Sequence, residues 1–163
     1  MNKAVFLDRD GVINRKGGSY YIFREEDFLF NDGVTDALKY FTSKGFLLIV
    51  ITNQGGIAKG IFTEAQLETV HRFMAEKLAA SGIKITDIYY CPHHPDISVC
   101  QCRKPGSLLF EKAVAEHNID RAGSFMIGDS EIDIKASEKA RIKGILIPTN
   151  GNMMDLIISK GLI

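Results

Sequence analysis

Residues 4–14 read AVFLDRDGVIN: four apolar residues, Ala4 to Leu7, followed at once by two aspartates, Asp8 and Asp10, with a single residue between them. A short and almost purely apolar run suits a buried strand of a parallel sheet. Side chains alternate along an extended chain, so Asp8 and Asp10 are expected on the same side, close enough to share a ligand. Two like charges so placed repel, and the repulsion is relieved by a cation between them or by one carboxyl keeping its proton. Asp-x-Asp-Gly is also ordinary turn chemistry. What decides between these readings is whatever else the fold brings to the same place.

Further strand-like runs lie at Phe46 to Ile51, Ile88 to Cys91, Phe125 to Ile127 and Ile145 to Ile147. Helical patterns separate them. Val34, Ala37, Leu38 and Phe41 follow i, i+3, i+4, i+7 spacing before Gly45. Thr63 to Gln66 reads as a capping box ahead of Leu67, Val70, Met74 and Leu78. Two more helices are expected from Ser107 to about His117 and from about Glu131 to Lys139. This alternation predicts an α/β fold: a doubly wound, Rossmann-like parallel sheet of about five strands with right-handed crossovers, in a single domain over 1–163. In such sheets ligands bind beyond the carboxyl ends of the strands. Strand one ends in Asp8 and Asp10, strand two in Thr52-Asn53-Gln54-Gly55-Gly56, and strand four in Gly128-Asp129 with Asp133 a helical turn further on; Lys104 follows strand three by a loop. Acidic corners, a hydroxyl and a lysine on one rim are what phosphoryl transfer through a carboxylate nucleophile requires.

Composition narrows the partners. Twenty basic and twenty acidic residues cancel, which removes the electrostatic case for nucleic acid or an anionic membrane and favours a small substrate. No segment reaches the roughly 20 apolar residues of a membrane span, and the start of the chain shows no signal pattern, so a cytoplasmic protein is expected. Cys91, Cys100 and Cys102 are odd in number and fall in one short segment, which fits metal ligands better than a disulfide framework. With His93 and His94 nearby, three thiolates and one imidazole would close a four-coordinate zinc site in the loop 91–102.

DRDG at Asp8 and Asp10, the hydroxyl of Thr52, Lys104 in CRKP, and Asp129 with Asp133 in GDSEID stand in the order of the four signatures of the haloacid dehalogenase superfamily, and the chain resembles its phosphatases. The resemblance implies that Asp8 attacks phosphorus in line to form an aspartyl-phosphate. Asp10 is then expected to stay protonated long enough to serve the leaving alkoxide, and afterwards to activate water. Thr52 and Lys104 would hold the phosphoryl oxygens. Mg²⁺ would be held by Asp8, Asp129 and the Asp10 main-chain carbonyl, with Asp133 supporting the loop.

TNQGGIAKGIFTEAQLE, YYCPHHP and CQCRKPGSLL are similar to the D-glycero-D-manno-heptose 1,7-bisphosphate phosphatases and the related histidinol-phosphatases, with the heptose enzymes the nearer match. That likeness favours His93 over His94 as the zinc ligand and makes the zinc structural, aiming Arg103 and Lys104 into the site. It implies a capless, monomeric enzyme acting on a small-molecule sugar phosphate, with Asn53, Gln54, Gly55 and Arg103 at the substrate. The segment Asn14 to Asp32 is the only candidate for a flap, and Arg15, Lys16, Lys59 and Arg103 are candidates for a distal phosphate. Ser130 stands where the heptose enzymes commonly carry lysine, the zinc loop is short, and the usual C-terminal strand and helix look curtailed. His71 and His117 are expected at the surface or partly packed, without catalytic duty.

Rival readings explain less. A phospho-aspartate signalling module shares the acceptor, Thr and Lys, but a second carboxylate two residues on favours the rapid hydrolysis such a module must avoid. A zinc-dependent binding module accounts for the cysteines alone. A nucleic-acid 3′-phosphatase lacks a basic stripe.

Overall fold

The structure, a computed structural model, describes residues 1–17 and 21–162. The part of the flap segment at 18–20 therefore lies outside the described residues. Five strands, β1 (Ala4–Leu7), β2 (Leu47–Asn53), β3 (Asp87–Cys91), β4 (Phe125–Gly128) and β5 (Lys143–Leu146), form one sheet in the order β3-β2-β1-β4-β5. Every pairing is parallel. Strand order reverses beside β1, which sets the crevice between the carboxyl ends of β1 and β4, where ligands enter folds of this kind.

Alternation along the strands builds two cores. Val5 and Leu7 of β1 pack with Leu48, Val50, Phe125 and Ile127 on one face, under α1 (Val34–Ser43), α2 (Glu64–Ala79) and α5 (Met153–Ser159). Ala4, Phe6, Ile49, Ile51 and Met126 form the other, under α3 (Leu108–His117) and α4 (Glu131–Lys139). Thr63 and Gln66 complete the expected capping box at the start of α2, and Ser130 and Asp133 form another at the start of α4.

Three expectations change. β3 and β5 are the sheet edges, so their side chains are mostly half-buried or exposed, unlike the enclosed β1 and β4. β5 begins at Lys143, two residues before the apolar run at Ile145 to Ile147, because pairing with β4 rather than side-chain hydropathy sets its register. The C-terminal segment does carry a short helix that the sequence did not reveal: α5 is capped by Asn152 and buries Met153 and Ile157 against the first core, and no strand follows β5 among the described residues.

Among the described residues, a single 3-10 turn, Glu25–Asp27, is the only regular element between β1 and α1, and no helix or strand lies between β2 and α2. No described helix is long and apolar enough to cross a membrane.

Phe110 of α3 is fully buried with its ring centroid 5.2 Å from that of Phe6. Phe110→Ala should therefore cost about 3–5 kcal/mol in urea unfolding, the range for emptying a large aromatic site. A loss under about 1 kcal/mol would contradict this packing.

Candidate active site

β1 delivers Asp8 to the crevice and then turns. Gly11 takes a φ of +85°, and a Cβ there would lie 2.2 Å from Asp129 Oδ2, so only glycine lets this turn approach the end of β4. Gly128 admits Asp133 in the same way: an added Cβ would sit 2.4 Å from the Asp133 Cβ.

Lys104 occupies the centre. It is buried at 2% exposure, and its ammonium donates to Asp8 Oδ1 at 3.0 Å and to the Ile51 carbonyl at 2.8 Å, and pairs with Asp133 Oδ1 at 2.6 Å. Burial alone would drive the proton off; the two carboxylates outweigh it and raise the lysine's pKa. One cation cannot fully serve two carboxylates. Burial, together with the charges of Asp133 and Asp10, pushes the Asp8 pKa up to about 6 despite Lys104. Asp129, at the end of β4, is raised as well, by burial and by the Asp8 charge. Its Oδ2 accepts from Thr149 Oγ1 at 2.8 Å.

Asp8, Asp129 and Asp133 each offer an oxygen within 4.8 Å of one another. This under-compensated set of hard oxygen donors fits a divalent cation such as Mg²⁺. Asp133 has prior commitments, since its Oδ2 also accepts from the Ser130 N–H at 3.2 Å.

The Asp10 side chain belongs to a different network from the shared-ligand pair expected of alternating residues. The chain has left the strand at Asp8, and Asp10 lies in the following turn. Its Oδ1 accepts from Arg9 Nη2 at 2.6 Å and Asn14 Nδ2 at 3.0 Å, and its Oδ2 from Gln54 Nε2 at 3.0 Å. Burial disfavours its charge, but Arg9 and these donors prevail and lower its pKa. A guanidinium in contact with it thus favours the ionised form of Asp10 before substrate arrives.

Thr52 lies within β2 rather than after it. It is 1% exposed, and its hydroxyl accepts from Gln54 Nε2 at 3.0 Å. Asn53 is committed to the neighbouring loop: its Nδ2 donates to the Lys104 carbonyl at 3.1 Å and its Oδ1 accepts from the Lys104 N–H at 3.0 Å. Gln54, Gly55, Arg103 and Asn53 do border a cleft of about 220 Å³ with Asp8, Asp10 and Asp129. Lys16, Tyr21, His94 and Ser130 complete much of its wall. Of the basic residues considered for a distal phosphate, Lys16 and Arg103 reach this cleft, whereas Lys59 lies 3.7 Å from Asp96.

Beside the cleft, Cys91, His93, Cys100 and Cys102 bring three sulfurs and one ring nitrogen within 4.8 Å of one another. His93 Nδ1 is 3.2 Å from the Cys102 sulfur, while His94 Nδ1 instead accepts from the Asp96 N–H at 3.1 Å. These four soft donors could hold zinc. The register Asn53↔Cys91 joins this loop to the end of β2, and the Gln54 N–H donates to the Cys91 carbonyl at 2.8 Å.

Several contributors escaped the sequence reading. Arg9, inside DRDG, carried no expected role; His71, expected at or near the surface, is 6% exposed and meets Arg9. Asn150 ties down Lys16 from both sides, accepting from its N–H at 2.8 Å and donating to its carbonyl at 2.6 Å. A histidine between the apolar positions of α2 was the one available signal for the first pair; nothing local marked Thr149 or Asn150.

A parallel sheet with a carboxylate-lysine-carboxylate cluster at its crevice defines a HAD-like hydrolase. A family profile described as HAD-hydrolase-like matches residues 101–157. The chain is 46% identical over 145 residues to a D-glycero-β-D-manno-heptose-1,7-bisphosphate 7-phosphatase of Escherichia coli O6:H1, covering 85% of this chain and 75% of that one. It is 42% identical over 155 residues to the enzyme of the same name from Haemophilus ducreyi, covering 91% and 84%. Among solved structures, a D,D-heptose 1,7-bisphosphate phosphatase from B. bronchiseptica, crystallised with magnesium and phosphate, superposes with a TM-score of 0.84 at 31% identity over 96% of this chain and 86% of that one. The chain belongs to the heptose-1,7-bisphosphate phosphatase family.

A carboxyl whose pKa is about 6 folded and near 3.8 unfolded binds its proton more tightly when folded, so its contribution to stability falls as pH rises across that window. Without added magnesium, the stability of Asp8→Asn relative to wild type should rise between about pH 4 and pH 7. A difference that does not vary with pH would contradict the buried, under-compensated state of Asp8.

Proposed function

We propose that this protein is a Mg²⁺-dependent phosphatase that removes the 7-phosphate of D-glycero-β-D-manno-heptose 1,7-bisphosphate by way of an aspartyl-phosphate on Asp8. The observation that carries this reading is the separation of two neighbouring carboxylates into two environments. Asp8 is buried against Lys104 in the group that can face a cation, while Asp10 is held apart by Arg9, Asn14 and Gln54. One carboxylate is thereby placed to attack and the other to handle protons.

Mg²⁺ would be held by Asp8 and Asp129, with the Asp10 main-chain carbonyl; when bound it keeps Asp8 ionised and offsets negative charge on the phosphoryl group. The B. bronchiseptica enzyme, crystallised with magnesium and phosphate, supports magnesium as the metal. Lys104 fixes the orientation of Asp8 and supplies positive charge beside the transferring group. Thr52 acts through Gln54, which it shares with Asp10. Asp10 is ionised at rest; a phosphate dianion brought against it adds a like charge and raises its proton affinity, so that Asp10 takes up a proton from solvent and holds the acid form that the leaving alkoxide needs. After the alcohol departs, the same carboxylate takes a proton from the water that cleaves the aspartyl-phosphate.

Zinc on Cys91, His93, Cys100 and Cys102 would be structural, since all four positions of a tetrahedral site are filled by protein. It would brace the loop whose next two residues, Arg103 and Lys104, reach the cleft wall and the Asp8 carboxylate. The 7-phosphatase names of the relatives, at 42% and 46% identity, support the heptose substrate. Lys16 and Arg103 on the cleft wall offer positive charge to a second phosphate. A small, soluble sugar phosphate is also what a chain of zero net charge suits better than nucleic acid.

The substrate assignment is tested by kcat/KM for heptose 1,7-bisphosphate against histidinol phosphate and a sugar monophosphate. The bisphosphate should lead by about tenfold or more, the scale set by one additional well-placed phosphate contact; a lead for histidinol phosphate overturns the substrate and leaves the chemistry intact. Zinc removal by a chelator, verified by metal analysis and followed by an excess of Mg²⁺, should lower kcat/KM. Full activity in a zinc-free, Mg²⁺-replete enzyme would contradict a bracing role for the loop.

A further inference from the structure

Arg9 lies between the two aspartates in sequence, but its side chain runs into the interior and is fully buried. Nη2 donates to Asp10 Oδ1 at 2.6 Å and to the Ile22 carbonyl at 2.7 Å; Nη1 faces His71 Nε2 at 3.1 Å. Nε has no partner. The guanidinium packs over the Phe28 ring at 5.8 Å, and its hydrogen bonds to the described residues all come from the two terminal nitrogens, with Nη1 held by His71.

A guanidinium only donates, so His71 Nε2 is the acceptor and the ring carries its proton on Nδ1. Burial and the adjacent Arg9 charge keep the imidazole neutral, with its pKa lowered to about 3. His71 projects from the same α2 face as Val70 and Met74, both fully buried, so it is anchored by the core rather than by solvent.

We propose that His71 is a positioning residue for phosphoryl transfer: it fixes the Arg9 guanidinium, which fixes the rotation of the Asp10 carboxylate and so presents Oδ2 to the leaving oxygen. The proposal rests on the reading of Asp10 as the proton donor. Oδ1 is occupied by Arg9 and Asn14, whereas Oδ2 has one donor among the described residues, Gln54, and is the oxygen with room for a proton. As the bond from phosphorus to the ester oxygen breaks and that from phosphorus to an Asp8 oxygen forms, the proton on Asp10 Oδ2 passes to the departing oxygen and leaves Asp10 ionised. Without His71, one end of the guanidinium is released, Asp10 can turn, and the proton is presented out of line.

The consequence is specific to substrates whose leaving group needs a proton. A sugar alkoxide does; 4-nitrophenolate does not. His71→Leu should lower kcat/KM for heptose 1,7-bisphosphate by about tenfold, a part of the roughly 10²–10⁴-fold that general acid catalysis contributes, and for 4-nitrophenyl phosphate by less than about threefold. His71→Gln, whose amide oxygen can accept from Arg9 near the position of Nε2, should recover most of the loss. His71→Asn is too short to do so and should behave like His71→Leu; it serves as the readout should the leucine variant not fold, with thermal unfolding checked for each. Equal losses on both substrates, or a folded glutamine variant as impaired as the asparagine one, would overturn the positioning role. A wild-type enzyme that released phosphate from neither substrate would overturn the phosphatase reading, and this inference with it.

Discussion

The ammonium of Lys104, buried among Asp8, Asp133 and the Ile51 carbonyl, is the interaction on which the rest of the molecule depends. A buried charge is tolerated only when paired, and this one is paired by the exit of β1, the first turn of α4 and the backbone of β2. The loop after β3 must therefore travel to the crevice and stay there. Asn53 holds the main chain of Lys104 at both its N–H and its carbonyl, and the cysteine-histidine cluster closes the segment just before it. Two carboxylates around one lysine leave negative charge unmet, which raises the proton affinity of Asp8 and suits the cluster to a divalent cation.

The second carboxylate of the opening motif is managed by opposite means. Asp10 is displaced from the cation-facing group by the turn at Gly11 and given an arginine and two amides as partners, which lowers its pKa while that of Asp8 rises. Neighbouring acids pushed apart in this way are how a single fold supplies both a nucleophile and a proton carrier. The surrounding turns are cross-tied: Thr149 holds Asp129, Asn150 holds the main chain of Lys16, and Arg9 reaches the Ile22 carbonyl. The site thus gains rigidity from short loops that hold one another.

Much of this was legible in sequence because it rests on periodicity and on strand ends. Apolar runs at Ala4, Phe46 and Phe125 marked the strands, and in a doubly wound sheet the polar residues leaving them had to converge, which located Asp8, Thr52 and Asp129 together. What stayed hidden depends on contacts distant in sequence. His71 looked like one more polar residue on an amphipathic helix until Arg9, 62 positions away, was found against it. The hydrogen bonds that link Thr52 to Gln54 and Asn53 to the main chain of Lys104 likewise left no mark in the sequence. The contact of Arg9 with Asp10, which favours the ionised carboxylate, gave no sign in the sequence, because it depends on a side chain folding back beside its own neighbour. The helix at Met153–Ser159 was passed over because its seven residues are too few to show a period.

Covalent transfer to the side chain at position 8 is the central claim, and rapid quench followed by borotritide reduction tests it most directly. Acyl phosphate reduces to the alcohol, so tritium should be found in homoserine at position 8, rising and then falling within a single turnover of enzyme mixed with Mg²⁺ and heptose bisphosphate. Complete release of phosphate with no tritium at that position at any time would contradict it.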